Sequence, residues 1–421
     1  MQEEHSKKTI TNEELAQAFT GKPADKHQTG EKKKLSERTL ALFLIFGAVF
    51  LVGGIAMLTV GILNLAESKE GADYPELRVP TTGQQMFYSP LTGAELEDEA
   101  QAKAPIYCVQ TPNGTDGARP QAGLNQAGVI FEAIAEAGIT RFAALYQNPT
   151  SSVIGPIRSL RTYYLEWDTP FDCTIVHAGG SGDALAALSA GGYKDLTEDY
   201  AYMYRGTAGS RLWNNLFTTS SYLKKFSADH GYNSSDAKGF VRMSPDEAKR
   251  AQINDIASEK LVITKPAKGN TSETSPVVTN IGLRFGGIPT YNVDYAYDAA
   301  SNTYHRSYQT GAAHEVYNCP SDDLGQPDPE SACSLVQMAP SVVIAMVVSE
   351  RRAADNYHED ITAIGSGDVY IFQNGNVKRG TWKKSSREEQ IQFVDGDGKT
   401  IKLVPGQTII SAVPDYGSVD F

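Results

Sequence analysis

Leu124-Asn125-Gln126-Ala127-Gly128-Val129-Ile130-Phe131-Glu132-Ala133-Ile134-Ala135-Glu136-Ala137, followed by Gly138, is the stretch on which the fold turns. Ala127, Ile130, Ile134 and Ala137 recur at helical spacing, so it reads as a helix stopped by the glycine. Glu132 and Glu136, four apart, then share roughly the opposite face, as solvated carboxylates or as members of a charged network. Their neighbours there, Gly128 and Ala135, are small enough to admit another segment. Ile139 to Gln147 follows as a strand that begins with Thr140 and Arg141. Gly155-Pro156 is placed as a second helix start, with the proline as first helical residue. Ile157-Arg158-Ser159-Leu160-Arg161 then sets Arg158 and Arg161 on one face. Cations in a first turn oppose the helix dipole, which predicts a negative partner, either an internal carboxylate such as Glu132 or a bound anion.

Asp172-Cys173-Thr174-Ile175-Val176-His177-Ala178 is a short apolar run consistent with a buried strand. Gly179-Gly180-Ser181-Gly182-Asp183 turns from it into another helix, with Ser181 as N-cap. Alternating strands and helices predict an α/β domain over residues 105–228. Ligands in such layers collect beyond the carboxyl ends of strands, where glycines let backbone N–H groups face an anion. The expected anion site therefore comprises Arg119, Arg141, Arg158, Arg161, Gly179, Gly180 and Ser181. His177 and Glu132 are the candidate acid/base groups. A histidine in a buried strand is more often a hydrogen-bonded core residue, and geometry must precede a catalytic role. The Gly-Gly-Ser turn matches no P-loop, dinucleotide fingerprint or nucleophile elbow.

Further along, residues 229–275 form a polar linker with one helix start, Ser244-Pro245-Asp246-Glu247, which supplies an N-cap, an N1 proline and a capping-box glutamate. Residues 276–414 read as a mainly antiparallel β domain. Tyr291–Tyr297, Thr303–Tyr308, Ser341–Ser349, Asp368–Phe372 and Val377–Trp382 are its strands, and Asn374-Gly375 and Asp397-Gly398 its hairpin turns. The histidines in Tyr304-His305-Arg306, His314-Glu315 and His358-Glu359-Asp360 fit no metal spacing. The Asp395-Gly396-Asp397-Gly398-Lys399 run lacks the ligands of a calcium loop. Neither metal nor cofactor is expected. Trp382-Lys383-Lys384 reads as an edge-strand aromatic, with sugar stacking as the alternative.

Toward the N-terminus, Leu40 to Leu63 holds about 24 residues without a charged side chain, against the roughly 20 that span a bilayer. Lys32, Lys33, Lys34 and Arg38 precede it and acidic residues follow it. The expected order is a cytoplasmic tail over 1–38, a transmembrane helix over 39–65, and a stalk with domain entry over 66–104. That makes a single-pass plasma-membrane protein whose C-terminal domains lie outside. Its four cysteines fall on that outer side, where disulfides form. Cys319 and Cys333 bracket a loop rich in turn residues and are the expected pair, while Cys108 and Cys173 stay open between a bridge and free thiols. A net charge of -12 argues against a nucleic-acid partner.

One set of motifs resembles a known family. Ser89-Pro90-Leu91-Thr92-Gly93, Ala118-Arg119-Pro120-Gln121-Ala122-Gly123-Leu124, Phe131-Glu132-Ala133, Gly138-Ile139-Thr140-Arg141-Phe142 and Ile154-Gly155-Pro156-Ile157-Arg158-Ser159-Leu160-Arg161 look like the YerB-type family of bacterial envelope proteins. His177-Ala178-Gly179-Gly180-Ser181, Asn215-Leu216-Phe217-Thr218, Gly380-Thr381-Trp382 and Pro405-Gly406-Gln407-Thr408 continue the likeness over about 90–228 and 276–414. It implies a two-domain surface-exposed protein with no assigned activity. The chain departs from the pattern in two places. That family is usually tethered by a lipidated cysteine, and where it shows Pro-His-Asn this chain has Trp213-Asn214-Asn215.

The expected function is a membrane-anchored extracytoplasmic protein whose α/β domain binds an anionic group. A cell-wall glycan, a phosphate-bearing polymer or a carboxylate of an envelope protein partner suits arginine geometry. The alternative is an envelope hydrolase or transferase acting on a phosphodiester or glycan bond, with His177 or Glu132 as acid/base. An assembly factor that docks through the β domain is a third reading.

Overall fold

A computed structural model describes residues 85–206, 213–252, 277–321 and 325–421. In chain order its main elements are β1 (Ile106–Pro112), β2 (Val129–Glu136), β3 (Ile139–Gln147), α1 (Thr162–Asp168), β4 (Thr174–His177), α2 (Gly182–Ser189), β5 (Lys194–Thr197) and α3 (Ser220–His230). After these come β6 (Asn280–Arg284), β7 (Val293–Asp298), β8 (Thr303–Tyr308), β9 (Val342–Val348), β10 (Gly365–Gln373), β11 (Asn376–Lys384), β12 (Gln392–Val394), β13 (Thr408–Pro414) and β14 (Ser418–Asp420).

One ten-stranded mixed sheet runs through the body in the order β12-β11-β10-β9-β13-β2-β3-β1-β4-β5. The two halves of the sequence meet in its middle, where β13 lies parallel to β2 with Thr408 opposite Val129 and Ser411 opposite Glu132. A smaller antiparallel sheet, β8-β7-β6-β14, packs on one face. Its Ile281, Tyr295 and Tyr304 share an apolar core with Val343, Phe372 and Val413 of the large sheet. On the opposite face α1 supplies Tyr163, Tyr164, Leu165 and Trp167 to a second core with Phe131 and Ile344.

The expected architecture, a spanning helix followed by an α/β domain and a separate antiparallel domain, is corrected on three counts. First, the body is mostly β with few helices, and its halves share one sheet. The decisive stretch is strand β2, not a helix. Every residue of it is buried, and a central strand covered on both faces carries apolar or small residues almost continuously. Within such a run a helical stripe appears by coincidence. Ala137 and Gly138 form the turn into β3, with φ of 49° and 77°. Positive φ at both positions is what a two-residue type I′ hairpin requires.

The second correction concerns residues 155–161, which are extended rather than helical. Their peptide groups are claimed from outside: Ile157 N–H donates to Leu216 O at 2.8 Å, Arg158 N–H to Gln110 O at 2.7 Å and Leu160 N–H to Gly179 O at 3.0 Å. Helix α1 starts only at Thr162, with Arg161 at its N-cap. The broken dipole rule therefore does not apply to Arg158. Third, the apolar stretch from Leu40 to Leu63 lies outside the described residues. Among the described residues no helix is long and apolar enough to cross a membrane.

Two disulfides are present, Cys319–Cys333 with an S–S distance of 2.04 Å and Cys108–Cys173 with 2.03 Å. The capped start at Ser244 is a helix from Pro245, and Ser244 Oγ accepts the Glu247 N–H at 3.2 Å.

Candidate functional site

Where the smaller sheet covers β2 and β3, a polar network is buried in the core. Glu132 on β2 pairs with Arg306 on β8 at 2.7 Å, and neither side chain has any exposed surface. Thr140 and Ser411 donate to the same carboxylate, each at 3.2 Å. His314 lies 2.5 Å from Arg306 Nη1 and 3.1 Å from Gln121 Oε1. Burial, then the charge of Arg306, pushes its imidazole well below the ordinary range, so the ring is neutral and accepts from the guanidinium. Arg119 continues the network. Its guanidinium lies 3.8 Å over the Tyr308 ring and donates to Asn113 Oδ1 at 2.8 Å and Thr290 O at 2.9 Å. Glu132 and Arg119 thus sit where they hold the two sheets together.

A second cluster lies at the end of β2. Glu136 is ion-paired on one carboxylate oxygen with Arg141 and on the other with Arg161, the latter at 2.5 Å. Burial alone would raise the Glu136 carboxyl, but the two guanidinium groups outweigh it and hold it below the usual range. Arg141 also donates to Ser159 O at 3.3 Å, and Arg161 to Leu160 O at 3.0 Å.

Arg158 differs from these. It is half-buried and donates through Nε to Asn214 Oδ1 at 3.0 Å. Among the described residues no carboxylate forms an ion pair with it. Burial, then the neighbouring Arg141, makes its charged form less favourable than usual. It opens into a cleft of about 420 Å³ lined also by Asn113, Asp116, Glu136, Arg141, Ser159, Asn214 and Tyr291. The walls are the loop after β1, the β2–β3 hairpin and the extended segment that carries Arg158.

The expected anion site is therefore divided. Arg141 and Arg158 line this cleft, whereas Arg161 and Ser181 line a larger one of about 680 Å³ on the other side of Glu136. Gly179 and Gly180 pair with Leu160 through their backbone, and neither lines those two clefts. His177 is buried, with Nδ1 2.7 Å from Gly179 O and Nε2 2.9 Å from Asp195 Oδ1. Trp382 lies in the core and donates to Val347 O at 2.7 Å.

Sequence reasoning missed Arg306, Asn113, Asn214 and Tyr291. Arg306 had a usable signal, since Tyr304, Arg306 and Tyr308 occupy the inward positions of an alternating strand. An arginine on such a face requires a buried anion. Asn214 and Tyr291 come from distant loops and carry no local signal.

Comparison with known proteins follows the same two halves. The N-terminal domain of a protein family of unknown function, DUF3048, matches residues 91–233, and its C-terminal domain matches residues 283–410. The YerB protein of Bacillus subtilis (strain 168), whose name assigns it provisionally to the lipoproteins, is 29% identical over 341 residues, which cover 80% of this chain and 89% of that protein. The crystal structure of YerB from Bacillus subtilis superposes with a TM-score of 0.60 at 25% identity, over 80% of this chain and all of that one. A lipoprotein is held by a lipid rather than by a spanning helix. With no spanning helix among the described residues, the expected single-pass plasma-membrane localisation is corrected as well.

Proposed function

The chain belongs to the YerB-type family of two-domain bacterial proteins, and from that premise we propose that it is a binding protein that holds an anionic group in the Arg158 cleft. One observation carries the reading. Arg158 presents a guanidinium edge to an open cleft, beside a second guanidinium, without a carboxylate of its own. An anion there relieves the repulsion between the two cations and accepts charge-assisted hydrogen bonds. Two disulfides support work in an oxidising compartment such as the bacterial envelope.

Binding is favoured over hydrolysis because the titratable groups at hand are committed. Glu136 is held by two arginines, Glu132 is in the core, and both nitrogens of His177 face an acceptor. Calorimetric titration of the full chain with acetate and with inorganic phosphate, for wild type and Arg158→Ala, tests the proposal. The variant is expected to lose about 1.5–3 kcal/mol of binding, the range for a hydrogen bond to a charged group, while its unfolding free energy changes by less than about 1 kcal/mol. Equal binding by both proteins, or none by either, overturns the proposal.

A further inference from the structure

We infer that the Arg158 cleft selects a ligand with a single negative charge borne on a hydroxylated, sugar-like body, and discriminates against a doubly charged phosphomonoester; this rests on the anion-binding reading above. The charge inventory is small. Arg141, Arg158 and Arg161 stand against Glu136 and Asp116, which leaves one positive charge unmatched. Glu136 cannot leave, because each of its oxygens is claimed by a guanidinium. Asp116 is exposed at the rim, close enough to Arg158 to favour its charged form. A singly charged oxyanion completes the balance. A second negative charge would sit unmatched between two carboxylates.

Geometry points the same way. Asn214 takes Arg158 Nε, which leaves the paired Nη edge for two oxygens in a plane, the arrangement offered by a carboxylate or a diester. Asn214 is itself fixed by donation to Asp116 O at 3.2 Å, so the guanidinium is braced before any ligand arrives. Around it the walls are uncharged and polar, with Thr115 and Ser159, and the Tyr291 ring lines one side. An aromatic face beside hydroxyl groups accommodates the apolar face and the hydroxyls of a sugar ring.

Glucose, glucuronate and glucose 6-phosphate carry the same body with charges of zero, one and about two at pH 8, since a phosphomonoester loses its second proton near pH 6. Titrated into the full chain at pH 8, glucuronate is expected to bind about tenfold more tightly than glucose 6-phosphate, the scale of one unfavourable charge contact. Lowering the pH to 5 makes the phosphate singly charged and is expected to narrow the gap. Asp116→Asn frees a second positive charge at an exposed position and is expected to raise affinity for glucose 6-phosphate more than for glucuronate. Tighter binding of glucose 6-phosphate at pH 8, or an Asp116→Asn change that does not favour it, overturns the charge selection alone. Failure of either anion to bind better than glucose overturns the anion-binding reading along with it.

Discussion

Replacing Arg306 with methionine removes the cation that β8 inserts against β2. The methionine fills much of the space but leaves Glu132 with only the hydroxyls of Thr140 and Ser411. Both members of the pair are fully buried, so no water replaces the lost guanidinium. A charge-assisted hydrogen bond contributes about 1.5–3 kcal/mol, and breaking a buried pair from one side costs about 3–5 kcal/mol because the other charge stays behind. The upper part of that range applies, since Arg306 also donates to the neutral His314. Chemical denaturation of the full chain, followed by tyrosine and tryptophan fluorescence, reads the loss as a lower midpoint at unchanged slope. The double variant Arg306→Met, Glu132→Gln carries neither charge and is expected to recover most of the loss. A single-variant loss below about 1 kcal/mol would refute the view that this pair holds the two sheets together. So would a double variant no more stable than the single one.

Three other outcomes are expected. Glu350 is buried and accepts from Tyr416 at 2.8 Å; burial pushes its carboxyl up to about 7 from an ordinary 4.5, opposed by that hydrogen bond and reinforced by Glu359 and Asp415. Its folded pKa exceeds the unfolded one, so its contribution is complete below pH 4.5 and lost as pH rises through 7. Glu350→Gln should therefore gain about 2 kcal/mol over wild type at pH 8, after allowance for solvent screening, in unfolding measured across that window; a gain that is the same at pH 4 and pH 8 would contradict this. Ala137→Gly should raise the unfolding free energy by about 0.5–1 kcal/mol, because Ala137 has φ of 49° in a hairpin turn, whereas in a helix the change would cost about 1 kcal/mol. Replacing Cys319 and Cys333 with serine should cost about 3 kcal/mol, and replacing Cys108 and Cys173 about 4 kcal/mol, since the bridges span 14 and 65 residues; equal midpoints for oxidised and reduced wild type would rule that out.

The sequence by itself determined whatever depends on neighbours along the chain. Alternation marked Thr303–Tyr308 as a strand, and Asn374-Gly375 marked a hairpin, whose φ values are 54° and 70°. Ser244-Pro245-Asp246-Glu247 marked a capped helix start. Ordered motifs carried the family. Tertiary structure decided the rest, because the deciding partners are remote. Strand β2 is buried by a neighbour whose Ser411 is 279 residues from Glu132, and burial on both faces erases the alternation that identifies a strand. The segment around Arg158 is held straight by backbone groups of Gln110, Gly179 and Leu216, which outweigh the local preference for a helix after Gly155-Pro156. The arginines look alike in sequence, yet Arg141 and Arg161 are matched by Glu136 while Arg158 faces the cleft without a carboxylate. Which cation is left over is a property of packing, since a charge is matched by whatever the fold brings within a few ångströms of it.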